Sequence, residues 1–300
     1  MNYQKPALSL DGQIKQLRQR GMFIGNLEEA KHYLSYINYY RLSAYWLPFE
    51  ANHQTHVFNS NTSFSSVLDV YIFDRELRLW VLDAIERVEV AFRCQFAYHL
   101  GSKYGANALL NPALFNSPVK KWSYDKSHQE LNDEFRRNKE QFIEHFKQKY
   151  CDTLPPVWIA AEMMTFGQLS KWYANLDERT DRNAIAHIFD FDETNFVSLM
   201  HHLAVVRNVC AHHSRLWNRS FPFDIKLPAK RPASVVSSLN PQAPKKIYNT
   251  LVLLAYLLDR ISPSHHWRKR LHELLTHHAI STKNMGFPDN WQSRPIWIEK

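Results

Sequence analysis

The sequence predicts an all-α fold, on three observations. Only seven glycines occur in 300 residues, too few for the turns of a hairpin-rich chain. Long runs free of Gly and Pro carry apolar residues at helical spacing. The composition, 45% hydrophobic, 14% aromatic and 22% charged, is that of a globular chain able to bury a sizeable core, without the charge excess that marks disorder.

The elements follow in order. Helices are expected from about Leu27 to Tyr45 and from Ser65 to Leu100. In the second run Val67, Val70, Tyr71, Phe73, Leu77, Trp80, Val81, Ile85, Val88 and Phe92 recur near a 3.6-residue period. Between Asn111 and Ser127, Pro112 and Pro118 indicate a loop. Helices are expected again from His128 to Tyr150, Pro156 to Leu176, Asp192 to about Asn218 and Lys245 to Ile261. The stretch from Phe221 to Pro244 has Pro222, Pro228, Pro232, Pro241 and Pro244 and no clear period, and reads as a loop. The end, GFPDNWQSRPIW, reads as an extended segment whose tryptophans dock on the body. There is no internal repeat, so one domain over 1–300 is expected. Its core spans about 10–260, with 262–300 as a C-terminal extension packed on it.

The net charge of +8 and a pI near 9.3 lean towards a polyanionic partner. Cys94, Cys151 and Cys210 lie far apart with no CxxC spacing, which argues against a disulfide framework and a zinc ribbon and fits a reducing cytoplasm. No signal-like apolar run and no stretch of about 18 apolar residues is present, so no membrane association is expected. The chain has no GxxxxGK[ST] and no GxGxxG, which removes support for a nucleotide cofactor, and none is expected. HELLTH, from His272 to His277, spaces its histidines five apart, whereas two ligands on one helical face need four. No metal site is expected.

The most polar run within a helical pattern is VVRNVCAHHSRLWNR, from Val205 to Arg219. Continued as a helix, it places Asn208, His212, Arg215 and Arg219 in one stripe with Arg207 beside it, and Leu203, Val206, Val209, Cys210 and Trp217 on the other side. Such a stripe suits metal-free RNA cleavage. A base takes the 2′-OH proton, an acid protonates the leaving 5′-oxygen, and a guanidinium steadies the phosphorane. The same residue types also suit a salt-bridged helix end.

RNVCAHHSRLWN resembles the RNxxAHxxRLWN signature of abortive-infection (Abi) proteins of the AbiD/AbiF type, within the HEPN superfamily of all-helical ribonucleases and RNA-binding proteins. Three further stretches are similar and in family-like order: YLSYINYYRLSAYWLPF from Tyr33, YIFDRELRLWVLDAIERVEVAFR from Tyr71 and PPVWIAAEMMTFGQLSKWY from Pro155. The resemblance implies a HEPN-like helical bundle with N- and C-terminal elaborations. It makes Arg207 and His212 a catalytic pair with Asn208 orienting the site, His213, Arg215 and Arg219 RNA contacts, and Glu86 or Glu89 the supporting acid. One motif per chain implies a homodimer that brings two copies to one cleft. The function expected is a cytoplasmic, metal-independent anti-phage endoribonuclease. The alternative is a protein that holds a small noncoding RNA, without cutting it, in a toxin–antitoxin-like system.

Overall fold

The computed structural model describes residues 4, 6–115, 122–278 and 280–298. Among them are thirteen α-helices and one two-stranded hairpin, so the all-α expectation holds. The chain opens with α1 (Leu10–Gln19), α2 (Leu27–Tyr36) and α3 (Tyr39–Trp46), then the hairpin β1 (Glu50–Asn52) and β2 (Val57–Phe58). The central helix α4 (Phe64–Tyr104) is followed by α5 (Tyr124–Arg137), α6 (Gln141–Lys149), α7 (Val157–Met163), α8 (Phe166–Ala174) and α9 (Arg179–Ile188). After α10 (Glu193–Ala211) come the four-residue α11 (Ala233–Val236), then α12 (Ile247–Ile261) and α13 (Trp267–His277).

At 41 residues α4 is about 60 Å long and forms the spine of the molecule. A capping box starts it. Ser63 Oγ accepts from Ser66 N at 3.0 Å and Ser66 Oγ accepts from Ser63 N at 3.2 Å. Gly105, at φ +84°, ends it. The apolar series read from the sequence is buried from Val67 through Phe92, except that Tyr71 and Trp80 are half-buried. Against this spine pack α3, α7, α8, α9, α10, α12 and α13. Every residue of α12 from Ile247 to Leu258 is buried, so its polar groups are spent internally: Tyr248 donates to the Ser238 carbonyl at 2.8 Å, and Asn249 accepts from Asn240 N at 2.7 Å.

Three expected helices are each two, for one physical reason: a side chain at the break takes a backbone N–H that the helix would otherwise use. Asn38 accepts from Tyr40 N at 2.8 Å and separates α2 from α3. Asn138 accepts from Glu140 N at 2.9 Å and separates α5 from α6. Thr165 and Gln168 form a capping box that separates α7 from α8. The expected 192–218 helix stops at Ala211. Helices α1, α9, α11 and α13 were not expected from the pattern.

The C-terminal segment contacts the spine and α12. Trp267 Nε1 donates to the Trp80 carbonyl at 2.8 Å, and the Arg270 guanidinium sits 5.2 Å from the Trp80 ring centre. Trp297 Nε1 donates to Tyr248 Oη at 3.2 Å, and Trp291 packs edge-on against Phe287 and Trp297. Among the described residues no helix is long and apolar enough to cross a membrane.

Candidate functional site

The motif run begins on the last turns of α10. Phe196, Leu199, Met200, Leu203, Val206 and Cys210 are buried, which leaves Arg207 half-buried and Asn208 and His212 exposed, one turn apart on the outer face. The helix then closes in a Schellman motif: Ser214 N donates to the Val209 carbonyl at 2.9 Å and His213 N to the Cys210 carbonyl at 3.0 Å. The residue that turns the chain, His213, sits at φ +57°. That position usually belongs to Gly or Asn, so a histidine there gave no stop signal in the sequence.

The stripe expected from an unbroken helix therefore divides. Asn208 and His212 stay on it; Arg215 and Arg219 leave it and enter a loop packed on α3 and α4. Arg215 Nη1 donates to the Ala44 carbonyl, and Arg219 Nε donates to the Arg215 carbonyl at 2.8 Å. Burial lowers the Arg215 pKa, with Asp74 acting in the opposite sense. His213 is exposed, and its carbonyl accepts from Arg41 Nη2 at 2.5 Å. Of the side chains expected to face away from the stripe, Leu203, Val206, Cys210 and Trp217 are buried and Val209 is half-buried. Burial pushes the Cys210 thiol up to about 12, which leaves it protonated at neutral pH.

Asp74 holds the loop, and its carboxylate is spent four ways. Oδ1 accepts the backbone N–H groups of Leu216 at 2.9 Å and Trp217 at 2.5 Å; Oδ2 accepts from Tyr45 Oη at 2.6 Å and from Arg78 Nη1. Asp74 is fully buried and Arg78 nearly so. Burial, then the Asp74 charge, raises the Tyr45 pKa, so the phenol remains a donor. A buried charge is tolerated only when paired and hydrogen-bonded, and both conditions are met here. The helical period does not mark out Asp74, Arg78, Tyr45 or Arg41. One signal was available: Asp74 and Arg78, four apart, interrupt the apolar side of α4 between Val70 and Val81, and residues of those types are seldom buried unless paired.

Both acidic candidates lie near the motif. Arg207 lines a pocket of about 390 Å³ with Leu79, Leu82, Asp83, Glu86 and Glu89 of α4. Its Nη1 is 3.4 Å from Asn208 Oδ1. Asp83 is paired with Arg87 at 2.9 Å and Glu89 with Arg93 at 2.8 Å. Glu86 is exposed and has no basic side chain within 4.0 Å among the described residues. The structure thus brings Arg207, Glu86 and Glu89 to one pocket, with Asn208 next to Arg207 and His212 one turn beyond Asn208. In HELLTH, His272 Nε2 meets Gln292 Nε2 at 3.2 Å and His277 packs edge-on to His278. Among the described residues no three His, Cys, Asp or Glu side chains are grouped to hold a metal.

The family model described as Abi-like protein matches residues 32–218. The chain belongs to the Abi-like protein family. No curated protein and no solved structure matches it. In this Abi-like protein the matched span ends on Asn218, the last residue of the motif. It also contains Arg41, Tyr45, Asp74 and Arg78, so the anchor and the exposed half of the motif both lie inside it. Membership suggests an abortive-infection role.

Proposed function

We propose that this Abi-like protein acts in abortive infection as a metal-independent endoribonuclease of the HEPN type. The observation that carries this reading is the division of the motif. Leu216 and Trp217 are fixed to a buried carboxylate, while Arg207 lines an acidic pocket and Asn208 and His212 are exposed at the same end of α10. An arrangement that spends a buried ion pair on holding a surface loop suits presentation of reactive groups better than packing alone.

In the reaction, an imidazole takes the proton of a ribose 2′-OH as that oxygen attacks the adjacent phosphorus. A second acid gives a proton to the departing 5′-oxygen. The products are a 2′,3′-cyclic phosphate and a 5′-hydroxyl. His212 serves as base or acid because an imidazole ring can accept a proton at one nitrogen and donate one from the other, and Arg207 offers its fork to the phosphorane oxygens. Glu86, which lines the same pocket as Arg207 and has no basic side chain within 4.0 Å among the described residues, is the supporting acid.

One His212 per chain supplies one of the two proton-transfer groups, so two copies facing one RNA strand make the site complete. Leu79 and Val90, each 55% exposed, lie along the same stripe of α4 as Glu86 and flank the pocket. Apolar side chains in that position suit a face covered by a second copy. The test is incubation of purified protein with RNA and analysis of the new ends. Tight, salt-dependent RNA binding without new ends would instead favour a protein that holds RNA.

A further inference from the structure

Helix α3 has two occupied faces. Arg41, Ala44 and Tyr45 meet the motif loop and Asp74. Tyr40, Ser43 and Trp46 line a cavity of about 970 Å³ on the other side, closed by α1, the end of α2 and the start of the hairpin. That volume is at the upper end of the range of small-molecule sites, and no role described above uses it.

Three kinds of group converge there. The rim carries aromatic rings: Tyr36 is 80% exposed and Tyr40 70%, with the buried Trp46 behind them. Arg20, the residue that caps α1, supplies a cation. Its Nη1 donates to Tyr39 Oη at 3.2 Å, and it has no carboxylate within 4.0 Å among the described residues. Two acceptors complete the lining. The Glu50 side chain is buried with neither Lys nor Arg as partner among the described residues; its contacts are His53 Nδ1 at 2.9 Å and His56 Nδ1 at 3.3 Å. Among the described residues Gln13 Oε1 is buried with no hydrogen-bond partner, while its Nε2 donates to the Leu8 carbonyl at 3.2 Å. A buried acceptor without a donor is costly, and a ligand N–H would relieve it.

An acyl chain would leave the Arg20 charge without a counterion and Gln13 Oε1 without a donor, and a neutral sugar would leave Arg20 without a counterion. A flat base bearing N–H donors and a phosphate meets all three kinds of group. We propose that this cavity binds an unpaired nucleotide, with its base against the Tyr36 and Tyr40 rings, base N–H groups towards Gln13 and Glu50, and phosphate on Arg20. The nucleotide is either free or the unpaired residue of an RNA strand. The site is separate from the Arg207 pocket and does not depend on cleavage, although its occupant would sit one helix away from the motif.

The test is calorimetric titration of the full His212→Ala chain, so that cleavage cannot intervene, with AMP, GMP, CMP and UMP, and with a single-stranded RNA hexamer. Saturable binding of a mononucleotide, weakened about tenfold or more by Tyr40→Ala and by Arg20→Gln and retained by Tyr40→Phe, supports a free nucleotide. Binding of the hexamer alone, weakened by the same two substitutions, supports an RNA strand. No saturable binding of any probe, or binding indifferent to both substitutions, overturns the proposal. Tyr40 is at the rim, so its variants keep the test valid if Arg20→Gln does not fold.

Discussion

The backbone N–H of Trp217 donates to Asp74 Oδ1 at 2.5 Å, across 143 positions of sequence. That contact joins the spine helix to the loop after α10, and the Arg78 guanidinium on the other carboxylate oxygen keeps the charge compensated. Asp74→Ala removes the acceptor for two backbone groups and leaves Arg78 buried without its partner. The expected loss is about 3–5 kcal/mol, read as a lower urea midpoint. His212→Ala, at an exposed position, should change stability by about 0.5 kcal/mol or less in the same measurement. Equal losses in the two variants would mean that the division between anchor and displayed residues is wrong.

His202 should give the protein a pH-dependent stability that has nothing to do with catalysis. Burial, with a smaller contribution from His201, pushes its pKa down to about 3, and its Nε2 lies 2.9 Å from Thr250 Oγ1. In the unfolded chain the imidazole takes a proton near pH 6.5, while the folded one resists it. The unfolded state therefore binds more protons between those values, and stability falls as pH drops from 6.5 towards 3, by at most about 1.4 kcal/mol per pH unit from this group. His202→Gln, which does not titrate, should flatten that slope in urea unfolding measured from pH 7 to pH 4. An unchanged slope would assign the acid sensitivity elsewhere.

Much of the fold was legible because helical period and buried face are the same information. The series from Val67 to Phe92 located α4, and the run into Leu258 located α12. The breaks at Asn38, Asn138 and Thr165 were harder to see, since a capping side chain is a local competition that the apolar period passes over. The end of α10 departs from the period for a related reason: the chain turns at His213, which takes positive φ far less readily than Gly, and the loop beyond it is held by Asp74 from another helix. Spacing groups Asn208, His212, Arg215 and Arg219 with Arg207 beside them, and only the resemblance to the Abi signature sets Arg207, Asn208 and His212 apart. The separation of Arg215 and Arg219 from them is tertiary, and period alone does not contain it.

Glu86 and Glu89 should not be equivalent. Glu89 is tied to Arg93, whose Nε also donates to the Ala161 carbonyl at 2.8 Å, so Glu89→Gln should lower stability by about 1 kcal/mol or more. Glu86 is exposed and lines the Arg207 pocket, so Glu86→Gln should leave stability unchanged and reduce RNA cleavage. Thermal melts and cleavage rates of the two variants separate the roles. The reverse pattern would make Glu89 the supporting acid.

If two copies meet over the Arg207 pocket, charge placed on the exposed stripe of α4 should part them. The double variant Leu79→Glu, Val90→Glu should run as a monomer in analytical ultracentrifugation at micromolar concentration, where the wild type runs as a dimer, and its cleavage should fall with dissociation. A wild-type monomer that retains full activity would remove the need for a second copy.

The measurement closest to the central claim is the chemistry of RNA ends left by purified wild-type protein and by folded His212→Ala, with and without chelator. The account predicts 2′,3′-cyclic phosphate and 5′-hydroxyl ends from the wild type, unaffected by chelator. It predicts no cleavage by His212→Ala and nearly unchanged RNA affinity. Undiminished cleavage by His212→Ala, or RNA bound by the wild type and left intact, would contradict it.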